Sequence, residues 1–243
     1  MKNNKLMTFV TIVSSLCTGL SFFALAQKDP PKEETIGTAA ISLADVNQKV
    51  MFADRFTSPL SARWYWIRED PKAWKVENGT LLLRSLPGYV YLDSNNAPNV
   101  LLRKAPVTSK VLVFEVYLEN RPKLVYEHAG LYWYYDDDNY VCLLKEQMGK
   151  EVRLRVVREK DATATFAGES KYDAKGVWFR LVIADGKATG YYRPTDKGDW
   201  RKMAQVDLPS EGEPKVGLNA GGGPQNAKRW VRFSHFRILE KAE

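Results

Sequence analysis

Apolar residues in this chain recur at every second position, in short runs broken by turn residues. The clearest run is "KVLVFEVYLE": Leu112, Phe114, Val116 and Leu118 share one face, and Val111, Val113, Glu115, Tyr117 and Glu119 the other. A two-residue period is that of a half-buried strand. "EVRLRVVRE" likewise sets Val152, Leu154 and Val156 against Arg153 and Arg155. "VWFRLVIADGKATGYYRP" reads as two strands around Asp185-Gly186, with Phe179, Leu181 and Ile183 inward. "TLLLRS" follows Asn78-Gly79, the strongest short hairpin signal, and "NVLLRKA" follows "NNAP". "PKVGLNA" and "WVRFSHFRIL" close the series. No stretch sustains a helical period and no segment repeats. The spacing predicts about ten to thirteen strands in one all-β, two-sheet antiparallel sandwich over residues 50–243. Each strand then buries one face, and the outer face of one sheet is free to hold a ligand.

The first residues break this pattern. Lys2 and Lys5 precede an uncharged, apolar-to-small stretch from Leu6 to Leu25 that ends in Ala24-Leu25-Ala26. That is the layout of a secretory signal peptide over residues 1–26, so an exported protein, periplasmic or extracellular, is expected, with no membrane segment after cleavage. Residues 27–49, with "KDPPKEET", read as a linker or arm. Removing the leader leaves 217 of 243 residues, takes the formal charge from +7 to +5 and leaves Cys142 as the one cysteine. No internal disulfide can form, and the core alone must stabilise the fold. The basic residues are dispersed among acidic ones without a run of five, which excludes a nucleic-acid patch.

Three adjacent aspartates, Asp136 to Asp138, lie inside "EHAGLYWYYDDDNYVCLLKE". Ala129, Leu131 and Trp133 alternate with His128, Gly130, Tyr132 and Tyr134; beyond the aspartates, Val141 and Leu143 alternate with Tyr140, Cys142, Leu144 and Glu146. Calcium needs six to eight oxygens in a cage, and three consecutive side chains cannot all point at one ion. Asp and Asn tolerate the left-handed backbone of a hairpin turn. The aspartates are expected to be that turn.

This hairpin resembles the E-x-A-G-L…D-D-x-N-Y/W…E hairpin of the concanavalin A-like jelly rolls. In order around it stand "FADRFTSPLSARWYWIRED", "WKVENGTLLLRS", "NAPNVLLRKA", "VGLNA" and "RFSHFRIL". Together they are similar to a domain family related to the C-terminal sandwich of β-xylosidases. The resemblance implies two stacked sheets, one concave, with carbohydrate as the usual ligand of the concave side. It also implies a structural calcium, with Asp54 as one ligand, although Ser234-His235 stands where an Asp often sits; no other cofactor is expected. Many relatives carry Lys where this chain has Cys142. The laminarinase-type E-x-D-x-x-E is absent: Glu115 and Glu119 lack the middle aspartate, and four residues of strand separate them by about 13 Å. A retaining pair needs about 5 Å.

Sugar binding calls for aromatic faces and for polar groups that meet hydroxyls. The chain has seven Trp and twelve Tyr. In an extended "RWYWIRED", Trp64, Trp66 and Arg68 share a face, and Trp66 is a candidate ligand contact or a core residue. Trp74 and Trp178 are expected in the core. Tyr132, Tyr134, Glu146 and His128 share the non-core face of the central hairpin. Arg103, next to an inward Leu102, either reaches the same floor or stays at the surface. Asn219, just before the "GGG" connection, is a further hydroxyl partner. His128 with Glu127 or Glu146 is the available acid–base pair. The expected function is a noncatalytic, exported carbohydrate-binding sandwich. Its rivals are a glycan-degrading hydrolase of the same fold, for example on 3-keto-disaccharides, and an envelope protein-interaction domain.

Overall fold

The computed structural model describes residues 48–241 other than 58, 109, 211 and 227. The expected leader, 1–26, and nearly all of the expected arm lie outside the described residues. Fifteen strands occupy the rest, and no helix interrupts them among the described residues. The first five are β1 (Gln48–Asp54), β2 (Tyr65–Ile67), β3 (Trp74–Glu77), β4 (Thr80–Arg84) and β5 (Val100–Lys104). Next come β6 (Val111–Glu119), β7 (His128–Asp136), β8 (Asn139–Met148), β9 (Glu151–Lys160) and β10 (Thr163–Lys171). The last are β11 (Gly176–Ala184), β12 (Lys187–Arg193), β13 (Arg201–Asp207), β14 (Lys215–Gly221) and β15 (Trp230–Lys241).

They form a two-sheet antiparallel jelly-roll sandwich. The first sheet runs β13-β12-β11-β6-β15-β4-β3, with β1 beside the C-terminal half of β15. The second runs β10-β9-β8-β7-β14-β5-β2. Turn chemistry sets the hairpin registers. Asn78 and Gly79 take φ of 49° and 69° between β3 and β4, and Asp185 and Gly186 take 50° and 68° between β11 and β12. Two consecutive positive φ values are what a two-residue hairpin with right-twisted strands requires.

The core between the sheets follows the alternation. Leu112, Phe114, Val116 and Leu118 of β6 meet Ala129, Leu131 and Trp133 of β7, with Leu143, Val156 and Leu181 beside them. Burying one such large side chain stabilises the fold by about 1.5–3 kcal/mol. Trp178 departs from expectation: Val177 and Phe179 are its inward neighbours on β11, so it faces out of the first sheet.

A second apolar cluster lies on the outer side of the second sheet. Leu102, Tyr132, Tyr134, Tyr140, Cys142, Leu144 and Val157 are buried there together with Val90 and Ala97. Val90 and Ala97 belong to the connection between β4 and β5, which therefore covers part of that face.

Candidate functional site

The connection from Ser85 to Asn99 forms a roof over the outer face of the second sheet. Glycines let it approach. The Gly222 and Gly223 amides donate to the carbonyls of Gly88 and Leu86 at 3.1 Å each. A side chain at Gly221 would put its Cβ 2.6 Å from the Gly88 oxygen. The roof is pinned elsewhere as well. Arg68 Nε donates to Ala97 O at 2.6 Å, Asn95 Nδ2 to Asp138 at 2.7 Å and Asn219 Nδ2 to Pro98 O at 3.2 Å. Tyr140 Oη lies 2.5 Å from Val90 O and 2.9 Å from Glu159 Oε2. A carbonyl only accepts, so the tyrosine proton points at Val90. The Glu159 carboxyl is the other acceptor within reach of the same hydroxyl. Burial pushes the Glu159 carboxyl above its usual range, against the pull of the Leu92 amide and the Tyr140 hydroxyl.

Beside the roof, the face opens into a cavity of about 510 Å³, a size usual for a small-molecule site. Tyr89 and Tyr91 border it from the roof, Tyr126 from the β6–β7 connection and Phe166 from β10. Tyr91 lies 6.3 Å from Phe166 and Tyr89 lies 5.9 Å from His128, ring to ring. Tyr132, Leu144 and Val157 make an apolar floor.

One wall is polar. His128 and Glu146 are direct cross-strand partners on β7 and β8, and Arg155 of β9 joins them. Arg155 Nη1 donates to Glu146 Oε2 at 2.7 Å, and its guanidinium lies 3.9 Å over the Phe166 ring. The buried Arg155 Nε has no hydrogen-bond partner. Tyr126 takes φ of 69°, a strained conformation for an aromatic residue. It aims the Tyr126 carbonyl at His128 Nδ1, 2.9 Å away. That nitrogen must donate, which leaves Nε2 of the neutral ring as an acceptor.

The three aspartates are the expected turn and also an anchor. β7 ends at Asp136 and β8 begins at Asn139. Asp137 receives both Arg68 Nη atoms, at 2.6 and 2.9 Å, and the Tyr134 hydroxyl at 2.8 Å. Burial and the neighbouring Asp137 push the Tyr134 hydroxyl well up. Of the anticipated residues, His128, Tyr132 and Glu146 therefore line the cavity. Arg68 and Tyr134 sit at the hairpin tip. Asn219 is fully buried beneath the roof.

Three expectations are corrected. Glu127 does not accompany His128: it turns away, is 3% exposed, and binds Arg229 and the amides of Lys123 and Leu124. Arg103 does not reach the floor, because Leu102 is the outward residue and Leu101 the inward one. Its guanidinium lies 3.3 Å over Phe52 inside the sandwich, and burial pulls it down to about 10. Trp66 packs against the core, 4.8 Å from Trp74. Arg68 has φ of 53°, which breaks the alternation that would have put both on one face.

The residues beside Asp54 do not suit a structural calcium. Its two oxygens accept from the Phe56 amide at 2.6 Å and from Trp64 Nε1 at 2.7 Å. Among the described residues no three His, Cys, Asp or Glu side chains are placed to hold a metal ion. Cys142 is fully buried and its thiol pushed far up by that burial, so it is no nucleophile. Among the cavity residues not anticipated are Tyr89, Tyr91, Tyr126, Arg155 and Phe166. Parity had put Arg155 on an outward face; nothing in "LPGYVYLDSNNAP" signals where its tyrosines lie.

The family model described as the beta xylosidase C-terminal concanavalin A-like domain matches residues 53–238. Among solved structures, the GH43 BlXynB protein from Bacillus licheniformis superposes with a TM-score of 0.68 at 19% identity. The match covers 80% of this chain and 39% of that one. Xylan beta-1,4-xylosidase from Bacillus halodurans C-125 gives 0.64 at 20%, over 81% of this chain and 39% of that one. A functionally unknown protein from Saccharomyces cerevisiae gives 0.60 at 18%, over 74% of this chain and 98% of that one. No curated protein matches. The chain thus spans about two-fifths of the length of these two Bacillus proteins, and at such identities the likeness is one of fold.

Proposed function

The chain belongs to the family of beta xylosidase C-terminal concanavalin A-like domains, and from that premise we propose that it binds a short glycan outside the cytoplasm without cleaving it. The observation that carries this reading is the cavity over the second sheet. Aromatic rings from Tyr89, Tyr91, Tyr126 and Phe166 border it, and His128, Glu146 and Arg155 converge on one side. A pyranose has an apolar ring face and a hydroxylated edge, and the cavity offers a surface for each. Export rests on Lys2, Lys5, the apolar stretch to Leu25 and the A-x-A end at Ala26.

Calorimetric titration of the purified protein, with and without calcium, tests the reading. The ligands are neutral oligosaccharides prepared from xylan, arabinan, glucan and galactan. Saturable binding to one class, independent of calcium and weakened by Tyr89→Ala, is the expected outcome. Absence of binding to all four classes removes the reading. One observation favours hydrolysis instead: His128 stands directly across from Glu146 on the cavity wall, with its tautomer set by the Tyr126 carbonyl. Steady release of new reducing ends from a bound oligosaccharide, abolished by His128→Gln, would establish that activity.

A further inference from the structure

Resting on that reading, we infer that the cavity takes the end of a neutral saccharide and excludes the interior of a polysaccharide. A polymer lying along a sheet needs a face open at both sides. Here Val90 and Ala97 of the roof pack on the outward side chains of β5, β7, β8 and β9. Asn219 of β14 is fully buried below them. The roof is tied to the hairpin tip through Asn95 and Asp138, to β8 through Val90 and Tyr140, and to β14 and the residues after it through Pro98, Gly88 and Leu86. The cavity is consequently closed toward β14, β5 and the hairpin tip. Tyr126 and Phe166 are the lining residues named above that stand most exposed, at 52% and 49%, and we place the mouth between them. A chain can enter there but cannot pass through.

The polar wall selects the chemistry of the end. Arg155 and Glu146 present donors and an acceptor side by side, 2.7 Å apart, as two neighbouring hydroxyls require. Arg155 Nε is buried without a hydrogen bond, so the protein leaves part of the guanidinium's donor capacity unused. Glu146 already pairs with Arg155, while Glu169 lies 3.6 Å from Arg155 Nε and also pairs with Arg153. No surplus positive charge remains to attract a carboxylate, so a neutral sugar fits and a uronic acid does not.

The test offers immobilised protein each of the four polysaccharides, intact or enzymatically shortened, at equal mass. Bound sugar is counted as chains. Chains bound in proportion to the ends created, with uronic-acid-terminated chains excluded, is the expected result. Binding that follows mass and ignores the number of ends overturns the inference while leaving glycan binding intact. No binding to either preparation overturns the proposed function and the inference together. Arg155→Lys keeps the charge but loses the fork and should weaken end binding about tenfold, with the melting temperature as a check on folding. Phe166→Ala, at the exposed mouth, serves if that variant does not fold. Unchanged affinity in a folded Arg155→Lys refutes the role of the polar wall, and in Phe166→Ala refutes the entry side.

Discussion

The outer faces of the two sheets start from similar material and end differently. On the first sheet, Glu115 of β6 is fully buried between Arg180 of β11 and Arg237 of β15. Arg180 and Arg193 lie 4.2 and 4.4 Å over Trp200, and Trp178 packs against Tyr117 and His235 at 5.5 and 5.4 Å. Long planar side chains thus lie flat on one another and fill that face from within. On the second sheet, Gly130, Gly217, Gly221, Asn219 and Cys142 keep the surface low. The Ser85–Asn99 connection settles on it, and the uncovered remainder becomes a cavity. A face that covers itself stabilises the fold. One that is covered by a loop can also hold a ligand.

The contrast can be broken most strongly at Glu115. Glu115→Gln takes the carboxylate from two guanidinium groups, one of them buried, and should cost about 3–5 kcal/mol in urea unfolding. The remaining folded protein should bind glycan as before; a large loss of affinity would mean that the two faces are not separate. Next is Gly223→Ala, whose methyl group would meet the Ser85 carbonyl oxygen. Such overpacking costs about 1–3 kcal/mol, and here the damage should fall on ligand affinity, because the roof must shift.

Tyr140→Phe removes the hydroxyl between Val90 and Glu159 and should cost about 1–2 kcal/mol. Hydrogen exchange at the Leu92 and Ala97 amides should quicken, with the β6 amides unchanged. The smallest effect is one of pH. Glu159 is raised by burial, so the folded state holds its proton more tightly than the unfolded chain does. The resulting stabilisation is complete below the ordinary Glu pKa of about 4.3 and is lost as pH rises through the folded value. Glu159→Gln stays neutral at every pH. Wild-type stability relative to this variant should therefore fall from pH 4 upward, and a flat difference would contradict the upward shift of Glu159.

Much of the sandwich was legible in the chain. The parity of β6, β7, β8, β9 and β11 named the core residues, and Asn78-Gly79, Asp185-Gly186 and the Asp136–Asn139 turn placed three hairpins. His128, Tyr132 and Glu146 followed from parity alone. Arg103 did not, for a physical reason. "VLLRK" has adjacent leucines because both faces of β5 are buried, Leu101 by the core and Leu102 by the roof. Alternation cannot say which side is inward when neither is wet. Likewise "GGG" read as no more than a connection, whereas Gly221, Gly222 and Gly223 are the strip on which the roof docks.

The sequence by itself determined the period-two pattern, the turns and the identity of the inter-sheet core, because these depend on residues a few positions apart. Only the tertiary structure decided that Ser85–Asn99 crosses to the second sheet, that Glu127 turns to Arg229 while its neighbour His128 faces Glu146, and that Arg155 and Phe166 meet Tyr91. Those contacts join segments tens of residues apart. What selects them is the free energy of covering one particular face, a quantity that exists only once both sheets have formed.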